Sequence, residues 1–174
     1  MNTCKCGKKP NKGRKYCKKC FFRIFEKRMR REMHNYVWFK KDEKVRLIDD
    51  QTCKTKIIEQ LLIPILKEAR IDVKITKTKP KNARIILTDN LDDYNGDFLK
   101  AIMNDKKLEK DAFVRPLKQI SDDEINTYAK LTNLPGLKRK KDLIFDFMNS
   151  MEQRFPETKF AILNSVDLIK KSID

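Results

Sequence analysis

Lys44-Val-Arg-Leu-Ile48, followed by Asp49-Asp-Gln-Thr-Cys-Lys-Thr55 and then a long apolar-periodic run, is the stretch that decides the fold. The first five residues read as a short strand. Residues 55–70 read as a helix through the apolar positions Ile57, Ile58, Leu61, Leu62, Ile65 and Leu66, with Pro64 kinking it because proline removes a helix donor. Residues 72–76 and 84–88 are two further strand candidates, separated by a Lys/Pro-rich loop. Strands that alternate with helices in this way yield a parallel sheet covered by helices.

Downstream, residues 90–104 read as a helix. Ser121-Asp-Asp-Glu124 is a capping box that starts another, running to about 133 before Leu134-Pro-Gly-Leu137 ends it. Residues 140–154 and 160–171 complete a helical tail, and no internal repeat is present. The expected architecture is α/β, with an N-terminal module over residues 1–43 and a larger domain over 44–174. A chain of 174 residues can bury a core in the larger part.

Upstream of the first strand lie Cys4-Lys5-Cys6 and Cys17-Lys18-Lys19-Cys20, two thiolate pairs joined by a loop that contains Pro10 and Gly13. Such pairs can close a tetrahedral Cys4 zinc site, and metal binding would order a loop that has little else to pack. The first pair is separated by one residue, where zinc ribbons usually have two or more. Disulfides are the alternative, but nothing marks the chain as secreted. No signal-peptide core and no apolar run of membrane-spanning length is present, so a cytoplasmic protein without a membrane partner is expected.

The charge is uneven. Residues 1–46 hold 17 Lys/Arg against 4 Asp/Glu, a net +13 of the chain's +16. A cluster of that kind suits a phosphate backbone, where each neutralised phosphate releases counterions and the effect adds across the patch. After Cys20, Phe22, Phe25, Met29, Met33 and Tyr36 recur at helical spacing, while Arg23, Lys27, Arg30 and Arg31 fall on the other face. Together with Arg14 and Lys15 these cations are the candidate nucleic-acid contacts. Phe21, Phe22 and Phe25 are either stacking platforms for bases or core, and core is the commoner role at helical spacing. His34, the only histidine, reads as a surface or capping residue.

Several segments in order carry a family resemblance: the cysteine pairs with YCKKCFFRIFEKRMRREM, the first strand, Thr88-Asp-Asn-Leu-Asp-Asp93, Val114-Arg-Pro-Leu-Lys118, Ser121-Asp-Asp-Glu-Ile125 with Tyr128-Ala129, and Phe155-Pro-Glu-Thr-Lys-Phe160. The chain resembles the cytosolic tRNA 2-thiouridine synthetases of the PP-loop (adenine nucleotide alpha hydrolase) superfamily. The resemblance implies a zinc-binding N-terminus before a doubly wound parallel sheet, here reduced. It also implies an ATP site at a Ser-Gly-Gly-x-Asp-Ser loop after the first strand, with Asp92 and Asp93 beside the nucleotide and the reacting uridine.

The departures are as informative. At the phosphate-loop position the chain has Asp49-Asp-Gln-Thr-Cys-Lys-Thr55, with no glycine to let backbone N–H groups approach a phosphate and with two carboxylates that repel one. Lys54 and Thr55 are the residues there that favour phosphate. The cysteine pair that supplies the family's iron–sulfur cluster is missing; Cys53 is the sole thiol outside the N-terminal set and reads as a small buried residue. The family's C-terminal zinc finger is missing too. Asp92, Asp93 and Cys53 are weak catalytic candidates, with Asp89 or Asn90 capping a helix as the simpler role for the acidic segment. Arg115, Lys118 and Lys138-Arg-Lys-Lys141 are candidates to extend a basic track.

The expectation is a catalytically degenerate, zinc-containing protein that binds tRNA and supports wobble-uridine 2-thiolation beside a full-length paralogous enzyme, with ATP and an iron–sulfur cluster both unlikely. Two alternatives stand beside it: a minimal ATP-dependent tRNA sulfurtransferase with a divergent phosphate loop, and a generic zinc-ribbon RNA-binding module.

Overall fold

A computed structural model describes residues 3–10, 15–36, 39–107, 112–139 and 142–172. In chain order its elements are α1 (Lys18–Tyr36), β1 (Lys44–Ile48), α2 (Cys53–Leu61), α3 (Ile63–Glu68), β2 (Asp72–Thr76), β3 (Arg84–Ile86), α4 (Leu91–Met103), α5 (Asp122–Leu131), α6 (Leu143–Arg154) and α7 (Thr158–Ser172).

The three strands form a parallel sheet in the order β2-β1-β3, with Leu47 beside both Ile75 and Ile86. The order reverses at β1, the arrangement that places ligand sites at the carboxyl ends of strands. Between β1 and β2 the expected single helix is two. Pro64 sits in the first turn of α3, where its missing N–H costs nothing, and Leu62 with φ −106° separates the pieces. β3 ends earlier than expected: Leu87 donates to the Val114 carbonyl and Val114 to that of Ile85, so the outer edge of β3 is closed by a parallel bridge between Ile86 and Val114.

Alternation along β1 fixes the layers. Val45 and Leu47 are fully buried, while Lys44 is exposed and Arg46 and Ile48 are half-buried on the opposite face. The buried face meets one large core that also contains Ile57 and Ile58 of α2, Ile125 and Tyr128 of α5, and Phe21, Phe25 and Met29 of α1. The buried stripe of α1 is therefore Phe21-Phe25-Met29, with Phe22 and Met33 half-buried at its border. Tyr36 is not among the described side chains. Each fully buried side chain of this size contributes about 1.5–3 kcal/mol. A second cluster joins Leu91, Tyr94 and Phe98 of α4 to Leu163 and Val166 of α7.

Both helix starts read from the sequence form as capping boxes. Asn90 caps α4 with Asp93 returning the bond, and Ser121 caps α5 with Glu124.

Candidate functional site

The turn after β1 is built around a carboxylate. Thr52 caps α2 by accepting from the Lys54 N–H, which fixes the first turn of the helix at the carboxyl end of the central strand. Into that turn points Asp50. Its Oδ1 accepts from the Thr52 N–H at 3.0 Å, the Thr52 hydroxyl at 2.8 Å and the Thr55 hydroxyl at 3.0 Å. Its Oδ2 accepts from the Thr88 hydroxyl at 2.7 Å and pairs with Lys54 Nζ at 3.0 Å. Burial raises the Asp50 pKa, but these donors outweigh it and hold the carboxyl at about 2. A helix N-terminus, three hydroxyls and an ammonium form a ready-made anion cradle. The chain's own carboxylate fills it.

Lys54 connects this cradle to the acidic pair. Its Nζ also contacts Asp93 Oδ2 at 2.8 Å, and Asp93 Oδ1 pairs with Arg139 Nη1 at 2.8 Å. Arg139 grips Asp122 as well, and Asp122 Oδ1 accepts from the Asn90 amide at 2.7 Å. Burial pushes the Asp93 carboxyl up, while Lys54 and Arg139 bring it below the ordinary carboxylate range. The Arg139 guanidinium is correspondingly raised against its own desolvation by Asp122 and Asp93. Asp92 faces the other way: Lys159 Nζ contacts its Oδ1, and its Oδ2 accepts from the Asp122 N–H at 2.7 Å. Its residue is 1% exposed, and burial together with Asp122 raises its pKa despite Lys159. Every carboxylate oxygen of Asp92 and Asp93 thus already holds a cation or an N–H.

Cys53 opens α2, lies 2% exposed in the main core, and burial raises its thiol. A neutral buried thiol is a packing residue. Arg115 and Lys118 are turned inward rather than onto a basic track: Arg115 Nε pairs with Asp89 at 2.9 Å and Lys118 Nζ with Asp167 at 2.5 Å. Arg139 likewise turns onto Asp93 and Asp122, since buried carboxylates demand cations. Lys140 and Lys141 lie outside the described residues. Asp50 and Lys159 were missed as site residues in the sequence, and Arg139 was read instead as part of a basic track. The one available signal was Lys159 within the Thr-Lys-Phe segment.

At the N-terminus Cys4, Cys6, Cys17 and Cys20 come together, with their sulfurs all within 4.8 Å of one another. The short Cys4-x-Cys6 spacing works because Gly7, at φ +79°, turns the chain back so that its N–H donates to the Cys4 carbonyl at 2.8 Å. Cys6 Sγ stands 3.6 Å from Cys4 Sγ and 3.5 Å from Cys17 Sγ. A disulfide needs about 2.05 Å. Four ligands at about 2.3 Å from one tetrahedral ion stand about 3.8 Å apart, which is compatible with these two separations and with a group whose sulfurs all lie within 4.8 Å. Backbone N–H groups of Cys6 and Cys17 lower the Cys4 thiol to about 6, while the neighbouring cysteine side chains push Cys20 up to about 12.

From this group α1 runs outward with Arg23, Lys27, Arg30 and Arg31 exposed, and Lys15 exposed before it. Arg14 lies outside the described residues. Arg28, on the inner side, contacts Glu124 and so ties α1 to α5. Phe22 and Phe25 pack on Tyr128 with ring centroids 5.1 and 4.7 Å away, which makes these aromatics core and not base platforms. His34 is exposed. No helix among the described residues is long and apolar enough to cross a membrane.

No family model matches the chain, and no curated protein sequence matches it. Among solved structures it is similar to the U34-tRNA thiolase NcsA from Methanococcus maripaludis with its 4Fe-4S cluster, with a TM-score of 0.74 over 100% of this chain and 90% of that one. Sequence identity is 17%, so the likeness bears on the fold. It also corrects one expectation. An iron–sulfur cluster was expected to be unlikely, yet the neighbour carries one and the four N-terminal cysteines here are grouped to bind metal. Counting cysteines outside that group was too narrow a test.

Proposed function

We propose that this chain is a tRNA-binding protein that supports 2-thiolation of the wobble uridine as a non-catalytic partner of a full-length paralogous enzyme. The observation that carries the reading is Asp50 in the anion cradle after β1: a carboxylate with five donors stands where a nucleotide phosphate would have to sit. The saturated carboxylates of Asp92 and Asp93 support it, because neither offers a free oxygen to a proton, a magnesium ion or a uridine. The connection to tRNA thiolation rests on the fold shared with a U34-tRNA thiolase and on the exposed cations of α1.

In this reading the four thiolates hold a thiophilic metal that orders the segment before α1, and α1 presents Arg23, Lys27 and Arg30 to the RNA backbone. The chain's contribution is placement of RNA; the paralogue supplies the sulfur chemistry. The test is a pair of binding measurements on purified protein. Micromolar binding of tRNA with no binding of ATP supports the proposal. ATP bound at micromolar affinity and weakened by Asp92→Asn would establish the minimal sulfurtransferase instead. Equal affinity for tRNAs with and without a thiolatable wobble uridine, with no association to a full-length synthetase, would leave a generic RNA binder.

A further inference from the structure

Among the described residues, no helix intervenes between β2 and β3. Parallel strands normally cross over through a helix, yet β2 and β3 are joined by residues 77–83 with no helical turn. Val45 and Leu47 face the core shared with α1, so the opposite face carries Lys44, Arg46 and Ile48 from β1 and, by register, Asp72, Lys74 and Thr76 from β2. Arg46 lies flat on it, bonded to the Asp72 carboxylate at 3.0 Å and to its carbonyl at 2.9 Å. Arg46 is the main partner of Asp72, with Lys74 and Lys44 nearby adding to the field that lowers its pKa.

The crossover adds Lys77, Lys79 and Lys81, all exposed as are Lys44 and Lys74. Beside it opens a cleft of about 750 Å³ lined by Lys44, Lys81, Asn82 and Arg84, with Asp42 and Glu43 at the same rim. Glu43 is engaged by Arg84 Nε at 2.9 Å. Arg84 itself is the register partner of Val45 and so turns toward the α1 side of the sheet, over the Phe39 ring at 5.4 Å. Lys79 stands 4.6 Å over the Phe113 ring, and Arg115 lies against the same ring at 5.7 Å. Lys79 and Arg115 already lie against Phe113, so that ring is not open to an unstacked base.

We infer that this cationic face, from Lys74 through Lys77, Lys79 and Lys81 to Lys44, is a second binding surface for the phosphate backbone of RNA, on the side of the sheet opposite α1. The inference rests on the proposal that the chain binds RNA and adds a surface to it. Phosphates are favoured because each contact releases counterions, so a row of exposed lysines gains with every phosphate it meets. Recognition here is by charge and strand path, without reading sequence.

The experiment is a salt titration of binding to unfractionated tRNA, from about 50 to about 300 mM, for three proteins. These are the wild type, Lys77→Glu/Lys79→Glu/Lys81→Glu, and Arg23→Glu/Lys27→Glu/Arg30→Glu. The crossover variant should lose about two to three units from the slope of log affinity against log salt, and the helix variant a similar amount independently. A Lys→Gln triple at the same three crossover positions should move the slope in the same direction, which separates lost contacts from added repulsion. If the crossover variants keep the wild-type slope and bind within about twofold while the helix variant flattens it, the second surface is refuted and RNA binding through α1 stands. If wild-type protein binds no tRNA, both fall.

Discussion

Replacing Asp50 by asparagine preserves the shape of the side chain and removes its charge. In the folded chain Asp50 titrates at about 2 rather than at the ordinary 3.8, because the Thr52, Thr55 and Thr88 donors and Lys54 outweigh the cost of burying it. At 1.36 kcal/mol per unit, that difference is worth about 2 kcal/mol of stability at neutral pH. The side chain is 25% exposed, so most of this survives solvent screening. A folded-state pKa below the unfolded one gives stabilisation that is fully present above pH 4 or so and fades as pH falls toward 2. Urea unfolding of wild type and Asp50→Asn across that range isolates the effect as a difference. The variant should be about 2 kcal/mol less stable at pH 7, and the two should converge toward pH 2. A second variant, Asp50→Gly, empties the cradle; inorganic phosphate at millimolar concentration should then raise its melting temperature while leaving wild type unmoved. Two results would refute the reasoning: a stability difference that does not change between pH 5 and pH 2.5, or equal stabilisation of wild type and Asp50→Gly by phosphate.

Three further outcomes follow from the buried charges and the thiolates. Lys159→Met leaves Asp92, 1% exposed, without its cation and should cost about 3–5 kcal/mol by thermal or urea unfolding; adding Asp92→Leu should recover much of that loss. Glu32 is 3% exposed, its Oε2 has no hydrogen-bond partner among the described residues, and burial raises its pKa. Since a raised carboxyl pKa weakens the fold as pH rises through it, Glu32→Gln should stabilise by about 1 kcal/mol at pH 8 and by less at pH 5, measured by thermal unfolding. Purified protein should contain bound metal that Cys4→Ser or Cys17→Ser removes, read by elemental analysis, with visible absorption separating an iron–sulfur chromophore from colourless zinc. Undiminished metal content in Cys4→Ser would move the centre elsewhere.

The short range carried well from sequence to structure. The capping box at Ser121, the helix cap at Asn90 (offered with Asp89), the strands at 44–48 and 72–76, and the apolar spacing of α1 depend on residues within a turn or two of each other, so their chemistry is visible in order. The cysteine group was also legible, since thiolates bring their own geometric requirement and Gly7 supplies the turn that a one-residue spacing needs. Proline placement was legible, although its effect was understated: Pro64 divides the helix instead of bending it.

The chain order by itself determined the α/β alternation, the cationic amphipathic helix and the loss of glycine after the first strand. Only tertiary structure decided what fills that turn and what the acidic pair does. Lys54 meets Asp93 across 39 positions, Arg139 meets it across 46, and Lys159 meets Asp92 across 67. Nothing local distinguishes Arg139 from Lys138 beside it, which is exposed. Its direction is set by the demand of buried carboxylates for a counter-charge, and that demand exists only once packing has taken water away from them.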